Sequence, residues 1–373
     1  MENGSGNKYK NPEWHDEKNK DKFAVKIVEA EPVKKSVEEN NLPAEKSREV
    51  KIDELVEKIL SKDRAALARA ITLVESNSER HFEKSKQLLE KILPYSGNSI
   101  RIGISGIPGA GKSTLIEALG LYLISLGHKI AVLAVDPSSS ITKGSILGDK
   151  TRMERLSREP DCFIRPSPAG GTLGGVTRKS RETMALCEAA GYDVIIVETV
   201  GVGQSEIAVR SMVDFFLLLM VAGTGDDLQG IKKGIVEISD ALVFNKADGE
   251  NLTRSKISAE EFKNALHFLR PYTEGWTPKV LTASALNNEG IEEIWETIES
   301  FVEFTKKKGI FNKRRKEQTL DWVYSTIENE LKRRFYSSPA VRESLPKIKE
   351  EILSGKIPAV EAVEKLIKVY FNN

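Results

Sequence analysis

Cysteine and long apolar runs are both scarce in this sequence of 373 residues. It has two cysteines, Cys162 and Cys187, which are too few for the disulfide framework of a small secreted domain. Its longest strongly apolar run, "FFLLLMVA" at residues 215–222, is far too short to cross a bilayer. This run therefore predicts a buried strand and gives no reason to expect a membrane partner.

An excess of charge of either sign is also missing. Lysine and arginine number 56 against 55 aspartates and glutamates, which leaves a net charge of +1. Nucleic-acid binding normally needs a basic field, so we expect no nucleic-acid partner. Without an apparent secretory signal, and with so little cysteine, we expect a cytoplasmic protein.

Four segments follow one another along the chain. Residues 1–48 are polar and aperiodic, which predicts a disordered extension. Residues 49–97 show three helical patterns, one of them with Asp63 as its N-cap. Residues 98–308 alternate β-rich and helical stretches, which predicts an α/β fold with a mostly parallel sheet flanked by helices, and residues 309–373 are helical again. Acidic residues in the extension argue against a mitochondrial transit peptide, namely Glu2, Glu13, Asp16 and Glu17.

The stretch "GIPGAGKST" has the spacing of a phosphate-binding loop between a strand and a helix. Its glycines allow backbone N–H groups to converge on an anion, and the helix adds its positive N-terminal end. The alternative is a glycine-rich turn that binds nothing, which the complete spacing disfavours. The predicted phosphate-binding residues are Gly106, Ile107, Pro108, Gly109, Ala110, Gly111, Lys112, Ser113 and Thr114.

A second stretch, "NKAD", predicts the base. An aspartate in this place accepts hydrogen bonds from the ring N–H and the amino group of guanine, whereas adenine leaves it unpaired. The strand "KVLTASAL" ends in a short loop of the kind whose backbone meets the guanine oxygen. A strand-to-turn motif that merely caps a helix is the alternative. The predicted guanine-binding residues are Asn245, Lys246, Asp248, Ser284, Ala285 and Leu286.

Acidic residues at strand ends predict a magnesium site. Glu198 and Gly201 form a Glu-x-x-Gly pattern, in which the glycine lets the backbone approach a terminal phosphate. Asp136 and Asp149 also follow sheet-type sequence, although a turn before proline and an exposed loop charge are their respective alternatives. Val202 stands where Ras-like enzymes carry a glutamine that orients water, which predicts slow hydrolysis by the isolated protein.

Seven motifs together resemble one family. They are "GIPGAGKST", "AVDPSSS", "GDKTRM", "TLGGV", "ETVGVGQSE", "GDDLQGIKKGI" and "NKAD". This combination resembles the MeaB/MMAA (ArgK-type) P-loop GTPases, which are chaperones of adenosylcobalamin-dependent methylmalonyl-CoA mutase. The resemblance covers about residues 50–370, including the helical segment ahead of the GTPase domain.

The resemblance implies roles for particular residues. Lys112, Asp149, Glu198 and Lys232 would be catalytic, with Asp149 in a mobile switch loop and Lys232 in a third switch at residues 221–232. The alternative for this third switch is a solvated connection. The implied metal set comprises Ser113, Asp136, Asp149 and Glu198. The chain departs from the pattern at Ala169 and Gly170, where relatives often carry serine or arginine.

The resemblance also implies an activity and partners. It implies hydrolysis of GTP to GDP with Mg²⁺, in the service of an adenosylcobalamin-dependent acyl-CoA mutase, for which methylmalonyl-CoA and isobutyryl-CoA mutases both remain open. Residues 309–373 would be the dimerisation arm of a homodimer, unless their apolar face packs on the chain's own GTPase domain.

Two other functions stay open at this point. A nickel-delivery GTPase shares the Glu-x-x-Gly strand but needs clustered ligands, and the four histidines are dispersed. An ATP-dependent kinase or transport-associated ATPase would also use a phosphate-binding loop, although "NKAD" argues against adenine.

Overall fold

The computed structural model describes residues 51–76, 78–135, 153–166, 173–199, 205–223 and 233–372. The predicted disordered extension, residues 1–48, lies outside them. Within the described ranges, no helix combines the length and hydropathy that a membrane span requires.

A single parallel sheet of seven strands organises the described part of the chain. The strand order is β3-β2-β4-β1-β5-β6-β7, and all pairs of neighbours are parallel. Central strands of such sheets are covered on both faces, and β5 is accordingly a continuous apolar run, as its sequence predicts. The strands are β1 (Ile100–Gly106), β2 (Ile130–Val135), β3 (Cys162–Arg165), β4 (Val194–Thr199), β5 (Phe215–Val221), β6 (Ala241–Asn245) and β7 (Lys279–Thr282).

Helices cover both faces of the sheet and extend the chain at each end. The N-cap prediction is confirmed, since the Asp63 carboxylate accepts hydrogen bonds from the N–H groups of Ala65 and Ala66. The described helices are α1 (Ile52–Leu60), α2 (Arg64–Glu75), α3 (Glu79–Ile92), α4 (Lys112–Ser125), α5 (Glu154–Arg158), α6 (Leu173–Ala189), α7 (Ser205–Arg210), α8 (Lys233–Glu237), α9 (Asn251–Leu266), α10 (Ile291–Lys307), α11 (Ile310–Ser337), α12 (Pro339–Leu353) and α13 (Ala359–Phe371).

Alternate side chains of the central strands enter two different cores. Ile102 and Ile104 of β1 pack in the core that α4 and α10 complete. Ile195 and Val197 of β4 belong to the core on the other face, which includes residues of α6 and of the N-terminal helices α1–α3. The period of two along each strand explains this division. The N-terminal helices thus form a layer of the same folded unit as the sheet.

The start of α11 is anchored on the amino edge of the sheet by polar contacts. The Arg315 guanidinium donates to both carboxylate oxygens of Asp214, at 2.8 and 2.6 Å. The Gln318 side chain donates to the Val213 carbonyl oxygen at 2.8 Å. Further along the helix, Ile327 and Leu331 are 50% and 58% exposed. The C-terminal segment therefore docks at its beginning and presents an uncovered apolar face beyond it.

The carboxyl edge of the sheet holds the predicted site. β1 lies in the middle of the sheet, between β4 and β5. In open α/β sheets, ligands bind beyond the carboxyl ends of the strands where connections leave to opposite faces. The ends of β1, β4 and β6 carry the three sequence motifs that predict phosphate, metal and base binding, and the "SA" motif follows β7.

Candidate nucleotide-binding site

The predicted phosphate-binding loop connects β1 to α4. β1 ends at Gly106, and α4 begins at Lys112, where the sequence places it. The Lys112 ammonium is buried and donates to the carbonyl oxygens of Gly106 at 2.8 Å and Ile107 at 3.2 Å. The lysine is therefore held over the loop itself, at the positive N-terminal end of the helix.

Two glycines of the loop are required by close backbone approach. Gly111 has a φ of +87°, and a Cβ there would lie 2.6 Å from the Asn245 side-chain nitrogen. At Gly106 a Cβ would lie 2.4 Å from the Leu219 carbonyl oxygen of the neighbouring strand. Any larger residue at either place would push the loop away from the sheet.

The end of β4 brings a carboxylate to the start of α4. The Ser113 hydroxyl donates a hydrogen bond of 3.1 Å to Glu198 Oε1. Both groups offer hard oxygen atoms, which suit Mg²⁺. Two of the four predicted metal residues are thus brought together, and the donor types fit the ion. Among the described residues, no group of three or more His, Cys, Asp or Glu side chains has the arrangement of a metal site.

Asn245, at the end of β6, joins the phosphate loop to the loop that follows β7. Its side-chain nitrogen donates to the Ala110 carbonyl oxygen at 2.8 Å, and its side-chain oxygen accepts from the Ala285 N–H at 3.2 Å. The residue is 1% exposed, so neither bond is open to bulk water. One amide therefore sets the distance between the two halves of the predicted site.

The remaining base-side residues surround Asp248. The Ser284 hydroxyl donates to Asp248 Oδ2 at 2.5 Å and accepts from the Asn287 N–H at 3.2 Å. Lys246 is exposed, with a left-handed φ of 59°, and Leu286 is 78% exposed. Asp248 is thus held by a neighbouring hydroxyl, while the lysine and leucine side chains border the open part of the site.

Several predicted residues lie outside the described ranges. They are Asp136, Asp149, Gly201 and Lys232, together with the departures from the family pattern at Ala169 and Gly170. Their roles stay predictions.

The sequence did not predict two hydrogen bonds near the site. The Thr199 hydroxyl donates to Ser105 Oγ at 2.9 Å between β4 and β1, and Ser284 bonds Asp248 through its side chain. The only sequence signal for the first is a pair of hydroxyl residues at the ends of otherwise apolar strands.

Comparisons with known proteins identify the family of this chain. Residues 67–340 match the family described as methylmalonyl Co-A mutase-associated GTPase MeaB. A Mycobacterium tuberculosis protein named a probable GTPase is 50% identical over 318 residues, which cover 85% of this chain and 95% of that protein. The mitochondrial methylmalonic aciduria type A homolog of Mus musculus is 44% identical over 329 residues, which cover 86% of this chain and 79% of that protein.

A solved structure shares the architecture as well. The crystal structure of a protein named LAO/AO transport system kinase superposes with a TM-score of 0.68 at 40% identity, covering 85% of this chain and 96% of that one. The family match spans well over half of the chain, and the relatives cover most of it at high identity. The chain therefore belongs to the MeaB family of GTPases.

Proposed function

We propose that the protein hydrolyses GTP to GDP and phosphate, and that it uses this cycle to gate cofactor loading and to protect an adenosylcobalamin-dependent acyl-CoA mutase. The observation that carries the proposal is the Asn245 amide, which ties the phosphate loop to the base-side loop in a chain of the MeaB family. The family's description refers to methylmalonyl-CoA mutase, which supports a mutase of this type.

The phosphate end of GTP would lie against the loop from Gly106 to Thr114. Its backbone N–H groups and the start of α4 offer a concentrated positive potential to an anion. The Lys112 ammonium now bonds two carbonyl oxygens of the loop, so it would move to the outer phosphates when GTP binds. This exchange replaces neutral acceptors by charged ones, which form stronger hydrogen bonds.

Ser113 and Glu198 would hold Mg²⁺ beside the phosphates, together with Asp136 and Asp149. Bound there, the ion neutralises charge that develops on the phosphate oxygens. The hydrogen bond between the Ser113 hydroxyl and the Glu198 carboxylate keeps the two oxygen atoms 3.1 Å apart before any ion arrives. The protein thus contributes a partly assembled set of hard ligands.

Base choice would depend on Asp248. Its carboxylate would accept the guanine ring N–H and amino group, while the Ser284 hydroxyl holds Oδ2 from the side. Adenine offers an acceptor at the ring position, so an ATP complex would leave a carboxylate unpaired. The Lys246 stem would cover one face of the base, and the backbone of the loop from Ser284 to Leu286 would meet the guanine oxygen.

Hydrolysis by the isolated protein would be slow. The side chain of Val202, which follows Gly201, can neither donate nor accept a hydrogen bond, so it cannot orient the attacking water as a glutamine side chain does. The mutase would accelerate the reaction by repositioning switch residues, with Asp149 and Lys232 as the side chains that respond. By linkage, a mutase that distinguishes the GTP and GDP states must itself bind more tightly to one of them.

The same proposal assigns roles to the segments of the chain. Residues 98–308 would form the GTPase domain, with the helical segment 49–97 packed on it and 309–373 as a dimerisation arm. The uncovered apolar face of α11, which includes Ile327 and Leu331, supports a homodimer because exposed apolar patches of this kind favour self-association.

The test is steady-state phosphate release from GTP, with and without an adenosylcobalamin-dependent methylmalonyl-CoA mutase. The parent should be slow alone, well below ~1 s⁻¹, and faster with mutase. Asp149→Ala and Lys232→Ala should lose the acceleration, whereas Lys263→Ala, an exposed lysine on α9, should retain it. Fast hydrolysis by the protein alone, or full acceleration of both switch variants, contradicts the proposal.

A further inference from the structure

Two buried hydroxyl groups meet beneath the predicted phosphate and metal sites. The Thr199 hydroxyl donates to Ser105 Oγ at 2.9 Å, and the two residues are 0% and 1% exposed. Thr199 is the last residue of β4, and Ser105 is the last but one of β1. The hydrogen bond therefore joins two neighbouring strands at the point where each delivers its functional segment.

Strand register places this pair directly beside the groups assigned to metal and phosphate. Ile104 lies opposite Glu198 in the β1–β4 ladder, so Ser105 and Thr199 are each one residue further along. Ser105 precedes Gly106, whose carbonyl oxygen accepts from Lys112. Thr199 follows Glu198, whose carboxylate accepts from the start of α4. Each hydroxyl residue is thus the chain neighbour of a residue in the predicted site, Ser105 of Gly106 and Thr199 of Glu198.

The pair projects to the sheet face opposite Glu198, because side chains alternate along a strand. That face is apolar: Val197 and Ile195 of β4 belong to its core, and a Cβ at Gly103 of β1 would meet the Phe216 ring at 2.8 Å. Apolar side chains would pack there without needing a hydrogen-bond partner. Two hydroxyl groups in such surroundings need each other as hydrogen-bond partners, so they stabilise the one alignment of β1 and β4 in which they meet.

We propose that the Ser105–Thr199 hydrogen bond is a positioning device that fixes Glu198 relative to the phosphate loop and so sets the affinity of the nucleotide complex for Mg²⁺. Neither residue belongs to the predicted nucleotide-binding or metal-binding set. The inference rests on the proposed function, since it assumes that Ser113 and Glu198 hold the ion. Residues that orient metal ligands from outside commonly change metal affinity by about 10-fold to 100-fold when they are removed.

The experiment measures how the dissociation rate of fluorescent GDP depends on Mg²⁺ concentration. Thr199→Val keeps the shape of the side chain and removes the hydroxyl, whereas Thr199→Ser keeps the hydroxyl. We expect Thr199→Val and Ser105→Ala each to raise the half-saturating Mg²⁺ concentration about 10-fold, with Thr199→Ser close to the parent. The double variant should be no worse than the worse single variant, because either change removes the same hydrogen bond.

GDP affinity in excess EDTA separates an effect on the metal site from a general loss of stability, and the urea midpoint shows whether each variant is folded. Positioning predicts that affinity without metal stays within about twofold of the parent in all variants, a change of less than 0.5 kcal/mol by the usual conversion. An unaltered Mg²⁺ midpoint in folded Thr199→Val or folded Ser105→Ala overturns the inference, as does an equal loss of GDP affinity with and without metal. If the rate of GDP release from the parent protein does not depend on Mg²⁺ concentration, both the proposed function and the inference are overturned. A responsive parent with unaltered variants overturns the inference alone.

Discussion

Replacing Asn245 by alanine tests the connection between the two halves of the site. The Asn245 side chain donates to the Ala110 carbonyl oxygen at 2.8 Å and accepts from the Ala285 N–H at 3.2 Å. Ala110 and Ala285 are both buried, at 0% and 6% exposure. Asn245→Ala would therefore leave one backbone acceptor and one backbone donor without partners in the interior.

The size of the effect follows from these two groups. A buried polar group that loses its partner costs about 1–3 kcal/mol, so two of them predict a loss of about 2–6 kcal/mol in the free energy of unfolding. A water molecule in the space left by the amide would hold the loss near the lower value. Nucleotide binding must then also bring the phosphate loop and the loop after β7 back together. Each ~1.4 kcal/mol that this reordering costs weakens GDP binding tenfold.

Urea unfolding without nucleotide measures the first effect, and equilibrium titration with fluorescent GDP measures the second. Asn264→Ala is the matched control, because Asn264 is exposed on α9 and the same atoms are removed there. We expect the control to lie within ~0.5 kcal/mol of the parent. If Asn245→Ala also unfolds within that margin and binds GDP as the parent does, the amide does not hold the loops together.

Three further outcomes follow from other parts of the structure. Burial favours the neutral form of Glu188, but Arg101 and neighbouring donors outweigh it and hold its pKa below the usual range. Because a depressed pKa stabilises the folded state above the usual glutamate range, Glu188→Gln should cost about 3 kcal/mol at pH 7 and progressively less in acid, as measured by urea unfolding. Ile327→Glu combined with Leu331→Glu should give a folded monomer by light scattering, and an unchanged dimer mass would contradict the arm. Ser113→Ala should accelerate GDP release in Mg²⁺ but not in EDTA, and equal rates for parent and variant in Mg²⁺ would contradict its role as a ligand.

Local signals made much of this fold predictable. The glycine spacing identified the loop before α4, and Asp63 was identified as a cap because capping involves residues only two and three positions away. The apolar run at residues 215–222 predicted β5, because a central parallel strand is buried on both faces. In each case the physical cause lies within a few residues of the signal.

Contacts between distant segments were not predictable from the sequence. Asn245 and Ala110 are 135 positions apart, and Thr199 and Ser105 are 94 apart. Such pairs depend on strand order and register, which one sequence does not specify. The NKAD motif indicates that Asn245 can tie its loop to the phosphate loop, but the partner atoms at Ala110 and Ala285 required the sheet.

The C-terminal segment shows the same limit in another form. Its sequence predicts a helical segment with an apolar face, and Ile327 and Leu331 lie exposed on α11, yet the start of α11 docks on the sheet through the polar residues Arg315 and Gln318. Periodicity reports which side chains share a face, but what covers that face depends on packing between elements. That a second copy of the chain covers the exposed part of the α11 face stays a prediction.

Equilibrium titration of the protein with fluorescent GDP and fluorescent ADP, repeated on Asp248→Asn, tests guanine recognition most directly. The account predicts a strong preference for GDP, and a loss of at least ~2 kcal/mol, or about 30-fold, in GDP binding by the variant, whose amide places a donor against a donor of the base. Equal affinity of the parent for ADP, or unchanged GDP binding by a folded Asp248→Asn protein, would contradict the assigned base site and the GTPase reaction built on it.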